Sequence, residues 1–362
     1  MKKTIASLQL AFMLEDRRVQ PNLRLIKKPK VISLFAGCGG LDLGFHQAGF
    51  DIVYANDISP SVKETYEYNL GPIDIKDIAQ VDKGSLPDCD IILAGIPCQP
   101  FSNAGNRGAM EDDRGKLFKQ VIDIIDIKRP KIVLFENVRG FLSAKDDSGQ
   151  PMPVRIEKEL KTHGYKLFYK LLNAADYGVP QNRYRVVMIG VREDIAKGFK
   201  FPEPIRGANI KVAGVISRSL PNGEEHEVWK LSPQSIDISK HIPAGGSWKD
   251  VPYDLLPPRL KKIRDEIKKY RSPNFYRKFS PDEVMGTITA ASTPENSGIL
   301  HPFENRRYSV REIARFQSFP DDFKFIGSSV AAKYKMIGNA VPVRLAYYIA
   351  DEIMKQFFKH ED

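Results

Sequence analysis

Apolar runs that alternate with helical patterns constrain this chain more than any other feature. VISLFAG (31–37) leads through a Gly turn into LDLGFHQAGF (41–50), which reads as a helix. DIVYAND (51–57) is the next strand and SPSVKETYEYNL (59–70) the next helix. CDIILAG (89–95), KLFKQVIDIIDI (116–127) and KIVLFENV (131–138) continue the alternation, and RYRVVMIGV (183–191) is one further strand. Strands alternating with helices predict an α/β fold, a parallel sheet with helices on both faces.

After residue 191 the pattern stops. Residues 192–305 are rich in Pro, Gly and charge, with one clear exception, PRLKKIRDEIKKY (258–270). There Leu260, Ile263, Ile267 and Tyr270 share one helix face and Lys and Arg take the other. Helical patterns return with SVREIARFQSF from Ser309 and with VRLAYYIADEIMKQF after GNAVP. The expected division is an extension at 1–30, a domain of 31–191 completed by 327–362, and a smaller irregular domain at 192–326. A length of 362 residues suits two such units.

No apolar run approaches a membrane span. The N-terminal MKKTIASLQLAFMLEDRR lacks a small-x-small cleavage site and runs into Glu15-Asp-Arg-Arg18, so it reads as an ordinary helix rather than a signal peptide. Cys38, Cys89 and Cys98 form no CxxC and have no His cluster, which argues against a disulfide framework or a metal site and fits a reducing cytoplasm. The net charge of +10 is unevenly placed: residues 1–30 carry 8 − 2 = +6, residues 257–280 carry 9 − 2 = +7, and the remainder sums to 10 − 13 = −3. Basic segments on a faintly acidic body are the footprint of a polyanion site; a solvated helix face is the plain alternative.

The Gly turn Phe35-Ala-Gly-Cys-Gly-Gly40 joins a strand to a helix N-terminus, and Gly37 and Gly39 let backbone approach a ligand closely. Asp42 replaces the third glycine of GxGxxG, so a dinucleotide pyrophosphate is not the obvious guest. Asp57 ends the second strand, 57 − 37 = 20 residues on, where an acid usually binds a ribose diol. Glu136 ends an otherwise apolar strand and emerges at the carboxyl edge of the sheet, where open α/β sheets bind ligands. Cys98 follows a strand on the same edge, between prolines and ahead of a polar Gly-rich loop. An isolated Cys is more often packing than chemistry, but this is a poor place for packing.

Taken in order, LFAGCGGLDLGF, YAND, KDIAQV, GIPCQPFS, RGKLF, ENV, YGVPQNRYR, RRYSVREIARFQSFP and IGNAVP make the chain resemble a cytosine-C5 DNA methyltransferase of the bacterial restriction-modification type. The resemblance runs from residue 31 to about 345 and leaves out the first 30. The family's usual Leu-Thr-Pro-Arg-Glu-Cys is here Tyr308-Ser-Val-Arg-Glu-Ile313.

The resemblance implies a Rossmann-like S-adenosylmethionine-dependent sheet with a smaller target-recognition domain. It nominates Cys98 as the nucleophile that attacks C6 of cytosine and Glu136 as the acid that holds the ring, with Arg185 and Arg183 contacting the base oxygen and supporting the catalytic loop. For the cofactor it implies Phe35, Gly37 and Gly39 in the turn, Asp57 at the ribose, Ile58, Asp77 and Ile78 around adenine, and Pro97, Leu117, Asn339 and Val341 at the methionine end. Phe35, Ile58, Leu117 and Val341 read equally well as core. The target base must be flipped out of the duplex to reach Cys98. The stretch from Ser102 to Gly115 looks like a lid over that base. Ser102, Arg107, Arg114, Lys261, Lys262, Lys268 and Lys269 are the expected DNA contacts. Sequence recognition is expected within about 192–290, with Trp248, Arg271 to Lys278 and Thr287-Ile288-Thr289 as places to look. Double-stranded DNA is the implied partner, a cognate restriction endonuclease belongs to the same system, no metal or membrane is involved, and a cytoplasmic, nucleoid-associated monomer is expected.

Three alternatives stay open at this level. A tRNA-acting relative would carry a CFT tripeptide late in the chain, whereas all three cysteines here precede residue 99. A non-enzymatic DNA-binding relative would lack the Cys or the ENV acid. A cysteine hydrolase would need a His as base, and none lies near the strand-end motifs.

Overall fold

The computed structural model describes residues 28–96, 111–146, 148–195, 198–220, 226–266 and 274–359, with residues 111–115 described by their backbone alone. The N-terminal helix expected before residue 28, Pro97, Cys98, Ser102, Arg107, Ile267, Lys268, Lys269 and Tyr270 lie outside the described residues, as does the side chain of Arg114.

Among the described residues seven strands form one sheet: β1 (Lys30–Leu34), β2 (Asp51–Asp57), β3 (Asp74–Ile75), β4 (Ile91–Ala94), β5 (Ile132–Val138), β6 (Tyr165–Asn173) and β7 (Tyr184–Arg192), in the order β3-β2-β1-β4-β5-β7-β6. The helices are α1 (Gly40–Gln47), α2 (Lys63–Leu70), α3 (Glu111–Lys128), α4 (Met152–Thr162), α5 (Ala213–Ile216), α6 (Pro233–Lys240), α7 (Pro258–Glu266), α8 (Val310–Phe316), α9 (Val330–Asn339) and α10 (Val343–Phe357). The central strands are covered on both sides, which is why they read as unbroken apolar runs. Side chains of alternating strand residues point to opposite faces. Val31, Ile91, Ile132 and Leu134 therefore pack against Phe45 of α1 and Leu345, Ile349 and Ile353 of α10. Ile32, Leu34, Ile92, Val133 and Phe135 pack against Val121, Ile124 and Ile125 of α3 and Ile156 and Leu160 of α4.

The all-parallel expectation is corrected at one edge. Strands β3, β2, β1, β4 and β5 pair in parallel, but β7 runs antiparallel to both β5 and β6. Only 184 − 173 − 1 = 10 residues separate β6 from β7. A parallel return needs a crossover of roughly a dozen or more. Neither β6 nor α4 was anticipated. Strand β6 is an edge strand, and Lys166, Tyr169 and Lys170 on it are exposed, which breaks up the apolar signal.

Beyond β7 the chain builds two further packing units. Leu231, Ile238, Ile242, Trp248, Val251, Leu260, Phe275 and Leu300 form a cluster of their own. Phe279, Met285, Ile288, Tyr308, Ile313 and Phe325 instead share a cluster with Cys38, Leu43 and Tyr66 beside the sheet. The helix expected at 258–270 is α7, with Leu260 buried and Ile263 partly buried on the expected face.

Candidate active site

Strand register aligns the first group of residues. Leu34 pairs with Asn56 and with Ala94, and Ala94 pairs with Phe135. One residue further, Phe35, Asp57, Gly95 and Glu136 sit level along the carboxyl edge, on strands about 4.8 Å apart. The strand order reverses between β1 and β4, the switch point where open α/β sheets form a crevice.

The turn after β1 is folded tightly around Asp57. Phe35 (φ 57°), Gly37 (φ 57°) and Gly39 (φ 86°) all adopt left-handed backbone. Gly37 N–H donates to Asp57 Oδ2 at 2.8 Å, and Ser59 N–H donates to Oδ1 at 2.8 Å. A carboxylate has about four lone-pair sites, so each oxygen retains one. A Cβ placed on Gly37 would meet no atom within 4 Å, so the turn opens onto free space. Beside it Ile58 is 65% exposed, a bare apolar side chain next to an acid. Asp77 caps the short turn Ile78–Gln80 by accepting from Ala79 N–H at 2.9 Å, while Ile78 is core. Leu117 and Phe35 are each partly buried against the same apolar cluster. Asn339 is exposed at the end of α9, and Val341 is buried. Space, carboxylate acceptors and apolar surface at one strand edge fit an adenosine-type cofactor.

Glu136 and Arg185 form the second group. Arg185 Nε lies 2.6 Å from Glu136 Oε1, and both residues are buried. Arg185 Nη1 donates to Tyr184 O at 2.8 Å. Arg183 is placed differently. It is buried, and its guanidinium donates to the carbonyls of Ile288 (2.8 Å), Gly338 (2.8 Å) and Ala340 (3.1 Å). It thereby ties β7 to the stretch that carries Asn339 and Val341.

Sequence reading passed over two residues of this scaffold. Gln181 accepts from Ile288 N–H and donates to Phe316 O and Gln317 Oε1, and Gln317 donates to Ile337 O. Both glutamines are fully buried. Both lie among polar and charged neighbours, in PQNRYR and RFQSFP, so no local pattern marked them as buried. A Cβ on Gly338 would fall 2.4 Å from Thr289 O, so glycine permits that close approach.

The other cysteines make poor nucleophiles. Burial pushes the Cys38 and Cys89 thiols up to about 12, which keeps them protonated near neutral pH. Asp42 is buried, accepts from Ser33 Oγ (2.6 Å) and Tyr66 OH (2.5 Å), and is pushed up to about 6 by its burial. Among the described residues no group of His, Cys, Asp and Glu could hold a metal ion, and no helix is long and apolar enough to cross a membrane.

The expected recognition and DNA residues are spread more widely. Trp248 is core, with its ring against Phe275. Ile288 is fully buried, and Thr287 Oγ1 donates to Asn182 O. Lys261 Nζ donates to Asp254 O, and Lys262 lies 3.9 Å from Glu266 on α7.

Residues 29–355 match the family model for C-5 cytosine-specific DNA methylases. The chain is 38% identical over 341 residues to Type II methyltransferase M.NgoFVII of Neisseria gonorrhoeae, covering 91% of this chain and 87% of the relative. It is 37% identical to Type II methyltransferase M.FnuDI of Fusobacterium nucleatum, covering 90% and 94%. The crystal structure of the S. pombe Dnmt2 methyltransferase superposes with a TM-score of 0.60 at 21% identity, over 92% of this chain and all of the other. That last likeness shows a shared fold, a Rossmann-like methyltransferase sheet.

Proposed function

The chain belongs to the C-5 cytosine-specific DNA methylase family, and from that premise we propose that it methylates C5 of a cytosine within a specific duplex sequence, with S-adenosylmethionine as methyl donor. The observation that carries this reading is the edge row that sets Gly95, two positions before Pro97, level with Glu136, whose carboxylate meets Arg185 from the antiparallel neighbour β7. Cys98 follows Ile96 by two residues, and two residues of chain reach at most about 7 Å.

Cytosine C5 is a poor nucleophile while the ring stays conjugated. The Cys98 thiolate adds to C6, forming the S–C6 bond and moving the C5–C6 π pair toward C5 and N3, while Glu136 holds the ring at N3 and the exocyclic amine. Arg185 holds Glu136 in place and keeps donors for the base oxygen. C5 then takes the electrophilic methyl group that S-adenosylmethionine supplies when bound. Loss of the C5 proton to solvent expels Cys98 as thiolate and restores the C5–C6 double bond. Asp57, Gly37 and Ile58 hold the cofactor's ribose and adenine, with Phe35, Gly39, Asp77, Ile78, Pro97, Leu117, Asn339 and Val341 around them. Arg183 is a positioning residue, since its guanidinium holds backbone carbonyls.

A cytosine stacked in a duplex cannot reach this edge, so the base is flipped out. Residues 192–326 supply target recognition. The enzyme acts as a monomer on cytoplasmic DNA and protects it from a cognate restriction endonuclease.

The test is methyl transfer from labelled S-adenosylmethionine to duplex DNA and to tRNA, with bisulfite sequencing of the DNA product. Wild type should label DNA at one sequence context, and Cys98→Ser should abolish transfer yet still bind DNA, because a hydroxyl is far less ionised than a thiol. Labelling of tRNA alone, or turnover by the purified Ser variant, would overturn the reading.

A further inference from the structure

The strand ends that carry Glu136 and Arg185 hold a second contact on their other face. Successive side chains alternate in direction, so Tyr184 points away from the side shared by Arg185 and Glu136. Arg139 begins the short turn that follows β5, and its guanidinium lies over the Tyr184 ring, 5.6 Å from the centroid. Both side chains reach solvent, Tyr184 being 41% exposed. Among the described residues no carboxylate pairs with Arg139. Other arginines that rest on rings here do have polar partners: Arg277 meets Glu283, and Arg307 donates to Ser292 O.

A cation held over a ring needs no hydrogen bond to it, so the guanidinium's N–H donors can serve a planar or tetrahedral anion. Three residues of chain separate Arg139 from Glu136, a reach of at most about 10 Å. A duplex that delivers a cytosine to Glu136 therefore brings its backbone close to this cation. We infer that Arg139, seated on Tyr184, binds a backbone phosphate of the duplex and positions the DNA for transfer. The inference rests on the DNA methyltransferase reading above. A plain structural role would have Arg139 only clamp the turn against β7.

Binding of a labelled generic duplex over a salt series separates the two, because a phosphate contact carries no base information. Arg139→Gln should weaken binding roughly tenfold at low salt, the scale of one charge-assisted hydrogen bond. It should also flatten the plot of log K against log salt by about 0.9. Arg139→Lys should restore the slope. Melting temperature and S-adenosylmethionine affinity should match wild type for both variants. An unchanged slope in Arg139→Gln overturns the inference, as does an affinity loss accompanied by a lower melting temperature in both variants. A wild type with no salt-dependent DNA affinity would remove the underlying reading, and this inference with it.

Discussion

Arg185 Nε lies 2.6 Å from Glu136 Oε1, each side chain only 10% exposed, although 185 − 136 = 49 residues separate them. Antiparallel pairing of β5 with β7 sets Val138 opposite Arg185 and so brings the pair together. A buried ion pair is worth little against an apolar replacement but is costly to break from one side. Arg185→Ala should therefore lower stability by about 3–5 kcal/mol. Glu136→Gln keeps an oxygen for Arg185 and should melt closer to wild type, while single-turnover methyl transfer falls by about 10²–10³ for want of the carboxylate that holds the ring. Melting curves and rapid-quench assays check both; an Arg185→Ala protein that melts like wild type would show the pair to be structurally idle.

Gly37 and Gly39 share left-handed backbone but differ in what surrounds them. A Cβ on Gly39 would fall 2.2 Å from Leu70 Cδ1 and 3.1 Å from the Tyr66 ring, whereas one on Gly37 meets nothing within 4 Å. Gly39→Ala should lose about 1–2 kcal/mol from its backbone and a further ~1–3 kcal/mol from overpacking. Gly37→Ala should lose only the first of these, yet bind S-adenosylmethionine more weakly because its methyl projects into the opening of the turn. Denaturant titration together with calorimetry of cofactor binding distinguishes them. Equal stability losses would contradict this assignment.

Two buried groups pull stability in opposite directions with pH. Burial raises the Asp42 carboxyl from 3.8 to about 6, so its proton stabilises the fold fully below pH 3.8, and that stabilisation is lost as pH rises through about 6. Burial lowers His301 from 6.5 to about 4, so its neutral form contributes stability above pH 6.5 that is lost as pH falls through about 4. Each amounts to roughly 3 kcal/mol at 1.36 kcal/mol per pKa unit. The two offset each other between pH 4 and 6. Asp42→Asn should lose stability more steeply than wild type on acidification through that window, and His301→Gln less steeply. Urea unfolding at stepped pH measures this, and identical slopes in all three proteins would exclude both assignments.

The basic face around α7 predicts a salt effect. Neutralising Lys261, Lys262, Lys268 and Lys269 together should weaken binding to all DNA alike and reduce the salt slope by up to about 0.9 per lost contact. Lys261 already donates to Asp254 O and lies over the Tyr253 ring, whereas among the described residues Lys262 meets Glu266 alone, at 3.9 Å. Lys262→Ala should therefore account for a larger share of the effect than Lys261→Ala. Dissociation constants over a salt series decide it, and the methylated sequence should stay the same in every variant.

Much of the catalytic half was legible in the chain because burial on both faces leaves a local mark. Strands β1, β2, β4 and β5 carry apolar runs, and Asp57 at the end of β2 and Glu136, two residues before the end of β5, stand out as acids. Edge strand β6 left a weaker mark, since Lys166 and Lys170 interrupt its apolar residues, and β3 is two residues long. The irregular portion was least legible. Trp248 looked like a surface reader, but its ring fills a small core with Phe275.

Local periodicity and strand-end chemistry in the sequence determined the α/β order, the Gly turn opposite Asp57 and the position of Glu136 at an edge. Only the tertiary structure decided that β7 runs antiparallel, that Arg185 meets Glu136, and that Arg183 turns inward to hold Ile288, Gly338 and Ala340. Periodicity reports whether a side chain faces a core, which is a property of a few neighbouring residues. Which distant group fills the space opposite it depends on how strands and helices pack together, because a buried charge or carbonyl must find its partner wherever the chain brings one.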